Sequence, residues 1–221
     1  MTDDEENTGP AGLLELCGVC LTLDDAPLFE KLNVAVPAGE VVTIMGPSGC
    51  GKSSLLAFIC GTLAPVFSAA GEARLDGETL DGLPPEQRHV GILFQDDLLF
   101  PHMSVGENLS FGLPPEITGR AERRARVEAA LTEAGMSGMA ERDPDTLSGG
   151  QRGRVAVMRT LLSQPRALLL DEPFSKLDVD LRARFRTFVF AHARDNRIPT
   201  LLVTHDPSDA AAAAGPVIEL L

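Results

Sequence analysis

Gly46-Pro47-Ser48-Gly49-Cys50-Gly51-Lys52-Ser53, followed by Ser54, fits the pattern G-x-x-x-x-G-K-[ST]. An apolar run, Val41 to Met45, leads into it, and Leu55 to Ile59, which can be helical, leads away. A strand, a glycine-rich turn and a helix in that order make a phosphate cradle. Glycines let successive backbone N–H groups turn inward, and the helix points its positive end at the anion. Lys52 adds a full charge at the end of the loop, and Ser53 offers a hydroxyl to Mg²⁺.

Working outward, Val90 to Phe94, Ala167 to Leu170 and Thr200 to Val203 are further short apolar runs bounded by Gly, Pro or a charge. Each is too short for a core helix and is predicted to be a strand buried on both faces. Helical spacing lies between them. Val127, Ala130, Leu131 and Ala134 share a face from Arg120 to Ala134, and Gly135 stands where a C-terminal cap belongs. A second helix is predicted after Asp178, a natural N-cap, with Leu181, Phe185, Phe188 and Val189 on one face, and a short one over Ala210 to Ala214. Strands alternating with helices imply a parallel α/β sheet. From about Asp96 to Gln164 the strand signal fades, which reads as a helical subdomain inserted into that sheet.

The strand 167–170 ends in two carboxylates, Asp171 and Glu172. That places Asp171 near a Mg²⁺ shell and Glu172 beyond it, where it can polarise an attacking water. Leu147-Ser148-Gly149-Gly150-Gln151 precedes a helix running through Val155 to Leu162, so its amides form a second helix-terminal anion site. One chain thus carries two phosphate-grasping termini and only one complete nucleotide pocket.

These motifs, with Gln95 after an apolar strand, Ser175-Lys176-Leu177-Asp178 and Thr204-His205-Asp206, resemble the ATP-binding cassette family in order and spacing, from about Leu14 to the end of the chain. The likeness is greatest to the compact cassettes of bacterial importers, and Gly91 to Phe100 resembles the YnjD-type cassettes. The resemblance implies one cassette over residues 1–221: a P-loop NTPase core of 12–95 and 165–221 with a parallel sheet and an N-terminal antiparallel β subdomain, a helical subdomain over 96–164, and a flexible acidic tail over 1–10. It implies a head-to-tail dimer holding two ATP molecules with Mg²⁺. Each is sandwiched between Gly46 to Ser54 of one copy and Ser148 to Gln151 of the other. By the same likeness Glu172 is the catalytic base and His205 holds the γ-phosphate and water. Lys52 serves the phosphates, Ser53, Gln95 and Asp171 serve Mg²⁺, and Asp178 links the two sites.

The implied activity is ATP hydrolysis driving transport, in the import direction, of a small solute. The partners are permease subunits and, for an importer, a solute-binding protein, with the chain peripheral on the inner face of the cell membrane. A soluble dimerisation or regulatory module is the other reading, but its relatives carry coiled-coil insertions or fused cassettes. Relatives also place an adenine-stacking aromatic residue shortly after the first strand. Here that position is about Leu23, with Phe29 the nearby substitute, in a chain without Trp or Tyr.

Composition narrows the field. A chain of 221 residues, 44% hydrophobic, buries its own core without disulfides, and its acidic opening, Asp3 to Glu6, does not read as a secretion signal. A net charge of -13 is repelled by a phosphate backbone, which excludes nucleic acid as a first partner. Cys17-Gly18-Val19-Cys20 lacks a second pair for zinc and is expected to be buried and structural. The arginines 120, 123, 124 and 126 are interspersed with glutamates and read as a solvated helix face.

Overall fold

The computed structural model describes residues 12–175, 177 and 179–220, with backbone alone at 179–181. The first unit is an antiparallel sheet. Its strands are β1 (Leu14–Leu23), β2 (Ala26–Pro27) and β3 (Leu32–Val36) before the phosphate loop, and β5 (Phe67–Leu75) and β6 (Glu78–Thr79) after it, with β1 pairing β2, β3 and β5. The parallel sheet begins with β4 (Val41–Met45), followed by α1 (Lys52–Cys60), then β7 (Val90–Leu93). Next come three helices, α2 (Val105–Gly112), α3 (Arg120–Glu133) and α4 (Gly149–Leu162), before β8 (Ala167–Asp171). The chain closes with α5 (Val179–Asp195), β9 (Thr200–Val203), α6 (Pro207–Ala213) and β10 (Val217–Glu219). The parallel order is β10-β4-β9-β8-β7.

The apolar runs read as two-faced strands divide with period two, as a pleat requires. Leu168 and Leu170 of β8 join a core with α2 to α5, whereas Ala167 and Leu169 join a second core with α1 and the antiparallel sheet. All four are fully buried. A buried leucine contributes about 1.5–3 kcal/mol, so this strand is held from both sides. Phe174, just beyond it, is fully buried and meets Phe185 and Phe190 edge-on at 6.3 and 5.8 Å. That anchors the loop leaving β8 to α5.

The helix predicted to follow the Leu147 to Gln151 stretch starts earlier than its apolar residues suggest, at Gly149, because Ser148 caps it. Gly153 fits inside this helix, and the flanking arginines have structural work. Arg154 Nη1 donates to the Ala134 carbonyl at 2.7 Å, satisfying the end of α3, and Arg152 Nε reaches Asp97 at 2.7 Å.

Two expectations are corrected. Cys17 and Cys20 are half-buried, not buried. A bulge between them, with Gly18 in the left-handed region at φ 60°, keeps both out of the core while Leu16 and Val19 face in. Phe29 is 3% exposed and packs beneath Gly51, so it does not serve as a substitute at Leu23.

Candidate functional site

The parallel register brings the candidate residues to one sheet edge. Ile44 pairs with Val203, Val203 with Asp171, and Leu170 with Leu93. The residues that continue these strands, Gly46, Thr204 with His205, Glu172 and Gln95, therefore leave neighbouring carboxyl ends. Ligands bind at that edge in open parallel sheets.

The loop from Gly46 to Gly51 runs out over this edge, with Pro47, Ser48 and Gly49 exposed. Gly51, at φ 94°, starts α1 against Leu28 and Phe29. A Cβ there would meet them at 3.0 to 3.1 Å, so glycine is required for both space and backbone. Lys52 is buried, and its Nζ donates to the Gly46 and Pro47 carbonyls, each at 2.8 Å. The ammonium is thus held within the loop. Cys50 Sγ lies 3.9 Å from it.

Ser53, in the first turn of α1, donates its hydroxyl to the Asp171 carboxyl. Burial pushes that carboxyl above the usual aspartate range. The Ser53 bond opposes the rise, the Glu172 charge adds to it and Lys52 opposes it. Such a carboxylate is relieved by a cation. Ser53 and Asp171 are hard oxygen donors beside a phosphate loop, a set that suits Mg²⁺, which keeps several waters and shares its shell with phosphates.

Glu172 stands in the left-handed region at φ 47°, its N–H donating to the Val203 carbonyl at 2.9 Å. A non-glycine residue there costs on the order of 1 kcal/mol or more and persists only where its surroundings enforce it. The reward is aim. Its Oε1 sits 2.8 Å from Nδ1 of His205, whose ring is 65% exposed while the glutamate is 20% exposed. Ser175 donates both its N–H and its hydroxyl to the Glu172 carbonyl.

A groove of about 360 Å³ joins these parts. Glu172 lines it from the parallel sheet, Ser48, Gly49 and Gly51 to Ser54 from the loop and helix, and Leu23, Leu28 and Phe67 from the antiparallel sheet and its turn. Gln95 is exposed at the end of β7 and does not line it. Ser148 to Gln151 also lie outside it. Ser148 and Gln151 form a capping box, with Ser148 N–H donating to Gln151 Oε1 at 2.9 Å and Gln151 N–H to Ser148 Oγ at 3.3 Å. Ser148 and Gly149 are exposed. Asp178 lies outside the described residues.

Reading the residues one by one missed what holds the site. Arg182 of α5 donates to Asp206 at 2.9 Å and to the Ser175 and Leu177 carbonyls at 3.1 and 3.2 Å. Arg186, one turn on, pairs with the buried Asp209 at 2.8 Å, and Thr204 donates to the same carboxylate at 3.3 Å. The i, i+4 arginine spacing was visible; its acidic partners after β9 lay too far along the chain to be paired with it.

A phosphate loop rising from a parallel sheet, with paired carboxylates one strand removed from it, defines a P-loop nucleoside triphosphatase. The ABC transporter family pattern matches residues 29–175. Among curated relatives, the ABC transporter ATP-binding protein YnjD of Escherichia coli K12 is 52% identical over 88% of this chain and 89% of its own. The Fe(3+) ions import ATP-binding protein FbpC of the same strain is 38% identical over 93% of this chain, and the spermidine/putrescine import ATP-binding protein PotA of Pseudomonas aeruginosa UCBPP-PA14 is 42% identical over 90%. The chain spans only 58% and 54% of those two. Among solved structures, the ATP-binding cassette MJ0796, dimeric and bound to ADP and Pi, superposes with a TM-score of 0.80 at 28% identity, covering 94% of each chain. The chain belongs to the ATP-binding cassette family of ATP-hydrolysing transporter subunits.

Proposed function

We propose that this chain powers import of a small solute by hydrolysing ATP as a head-to-tail dimer beneath partner permease subunits. The observation that carries the reading is the Glu172–His205 pair at 2.8 Å, in which Glu172 lines the phosphate-loop groove. Glu172, held in place by its backbone, accepts the proton of the attacking water. His205 orients that water and the γ-phosphate, and the ammonium of Lys52 turns from the loop carbonyls to the phosphates. Ser53 and Asp171 would hold Mg²⁺, which supplies charge neutralisation on the phosphates, with Gln95 reaching in from the neighbouring strand end.

Ser148 and Gly149 are exposed at the start of α4 and lie outside this chain's own groove, which supports the use of the Gly149 and Gly150 amides on the ATP of a second copy. The dimer recorded for MJ0796 supports the same arrangement. Asp178 would join the two sites. For the permease, an apolar groove beside Gln95 is the support: Phe94, Leu98 and Phe111 are 44%, 57% and 62% exposed along it. Among the described residues no helix is long and apolar enough to cross a membrane, so the inner membrane face would be reached through these partners. The names of FbpC and PotA support import and, for an importer, a solute-binding protein upstream.

Glu172→Gln tests the reading. It should bind ATP, lose hydrolysis by about a hundredfold or more, and run as a dimer by light scattering with ATP and Mg²⁺. A variant that hydrolyses at the wild-type rate removes Glu172 as base, and one that stays monomeric removes the sandwich.

A further inference from the structure

We propose that Phe67, on the antiparallel sheet, is the residue against which the nucleotide base stacks. The inference rests on the reading of the phosphate-loop groove as the ATP site. Position comes first. In the β1–β5 ladder Leu23 pairs with Phe67, so the two side chains share the last cross-strand position of β1, where the sheet meets the groove. Both line that groove together with Leu28, Ser48, Gly49 and the residues Gly51 to Ser54.

Chemistry decides between the candidates. Leu23 and Leu28 offer apolar edges, whereas a phenyl ring offers a π-face to a purine. Phe29, the other aromatic residue nearby, is buried under Gly51 with its Cε1 against that glycine, so it is part of the floor. Phe67 is only half-buried and lines the groove, so part of the residue is open to it. The base end of the groove is thus built by β5 with Leu23 as its side wall. A π-face accepts any purine, so stacking here adds affinity without separating ATP from GTP.

The absence of Trp and Tyr supplies a clean reporter. Phe67→Trp introduces the chain's single tryptophan, and its emission should be quenched on addition of ATP and unaffected by inorganic tripolyphosphate. In parallel, Phe67→Leu and Phe67→Ala should weaken ATP and GTP alike by roughly tenfold, equivalent to about 1.4 kcal/mol. Tripolyphosphate, which has no base, should bind within about twofold of wild type. Phe67→Leu keeps the apolar volume of the strand, so its loss reports the ring and not the fold. ATP binding unchanged in Phe67→Leu, or equal losses for ATP and tripolyphosphate, would overturn the assignment. Wild-type protein that binds tripolyphosphate with no competition from ATP would instead overturn the reading of the groove as an ATP site.

Discussion

Arg88 offers a measurable test of how α1, the helix after the glycine-rich loop, is held. The guanidinium is 7% exposed and lies at the C-terminal end of α1, opposite Lys52 and Ser53. It donates to the Phe58 and Ile59 carbonyls at 2.9 and 2.8 Å and to Leu83 at 2.9 Å. Gly61, the cap of the helix, leaves room for it, since a Cβ there would come within 2.6 Å of Nε. In Arg88→Met, Phe58 keeps the Gly61 N–H, while the Ile59 and Leu83 carbonyls lose this donor. Leaving a buried acceptor unsatisfied costs about 1–3 kcal/mol, so the buried Ile59 carbonyl and the part-buried Leu83 carbonyl, partly offset by no longer burying a charge, come to about 3 kcal/mol. For a chain of this size that lowers Tm by roughly 6–12 °C. Scanning calorimetry without nucleotide reads it. Nucleotide at a hundred times its Kd stabilises by about 2.7 kcal/mol and should restore most of the loss, because it binds the folded chain and not the unfolded one. An Arg88→Met variant melting within about 2 °C of wild type would refute the clamp.

Three further outcomes follow from the site and its supports. Maleimide should abolish hydrolysis through Cys50, whose thiol sits in the phosphate loop 3.9 Å from the Lys52 ammonium; ATP should protect, and Cys50→Ser should hydrolyse ATP in the presence of the reagent. Cys60 should stay unmodified in the folded protein, since burial pushes its thiol up to about 11 against the lowering pull of Arg88, and mass spectrometry of the labelled peptides separates the two. Burial alone would raise Asp76, but Arg166 and the Leu13 and Gly12 N–H groups hold it below the usual carboxylate range. Its stabilisation is therefore complete above the unfolded-state pKa near 4 and is lost as pH falls through the lower folded value, so the Tm gap between wild type and Asp76→Asn should be full at about pH 7 and close below about pH 4.

The parallel sheet was legible because strands buried on both faces need no alternation: Ala167 to Leu170 is an unbroken apolar run between charges, and Val41 to Ile44 is broken only by the buried Thr43. The antiparallel sheet hid for the opposite reason. In β1 the inward residues are Leu14 and Leu16 before the bulge and Val19 and Leu21 after it, so the period of two slips by one at Gly18. Its partner β5 passes that point as Ser68-Ala69-Ala70-Gly71, with no apolar signal, because Gly71 must lie against the Gly18 backbone. The same blind spot concealed Phe67. A base wall read along β1 alone ends at Leu23; only the cross-strand register shows which residue stands beside it.

Motif residues stand out in the sequence because phosphate chemistry restricts residue types and spacing tightly, whereas the contacts around Glu172 had to be found in three dimensions. Glu172 occupies a costly backbone conformation, and the contacts that hold it form a ring. Its carboxylate meets His205, and the next residue, Asp206, takes Arg182. Arg182 in turn grips the carbonyls of Ser175 and Leu177, and Ser175 closes the ring on the Glu172 carbonyl. A shift of the 175–177 segment therefore moves the base through its own backbone and the histidine through Arg182 and Asp206 at the same time. Under the proposed dimer this segment leads into Asp178, the residue placed between the two sites. Arrival of a second copy would then be felt by both members of the hydrolytic pair together, and an unpaired subunit would hold Glu172 and His205 without the contact that sets them against ATP.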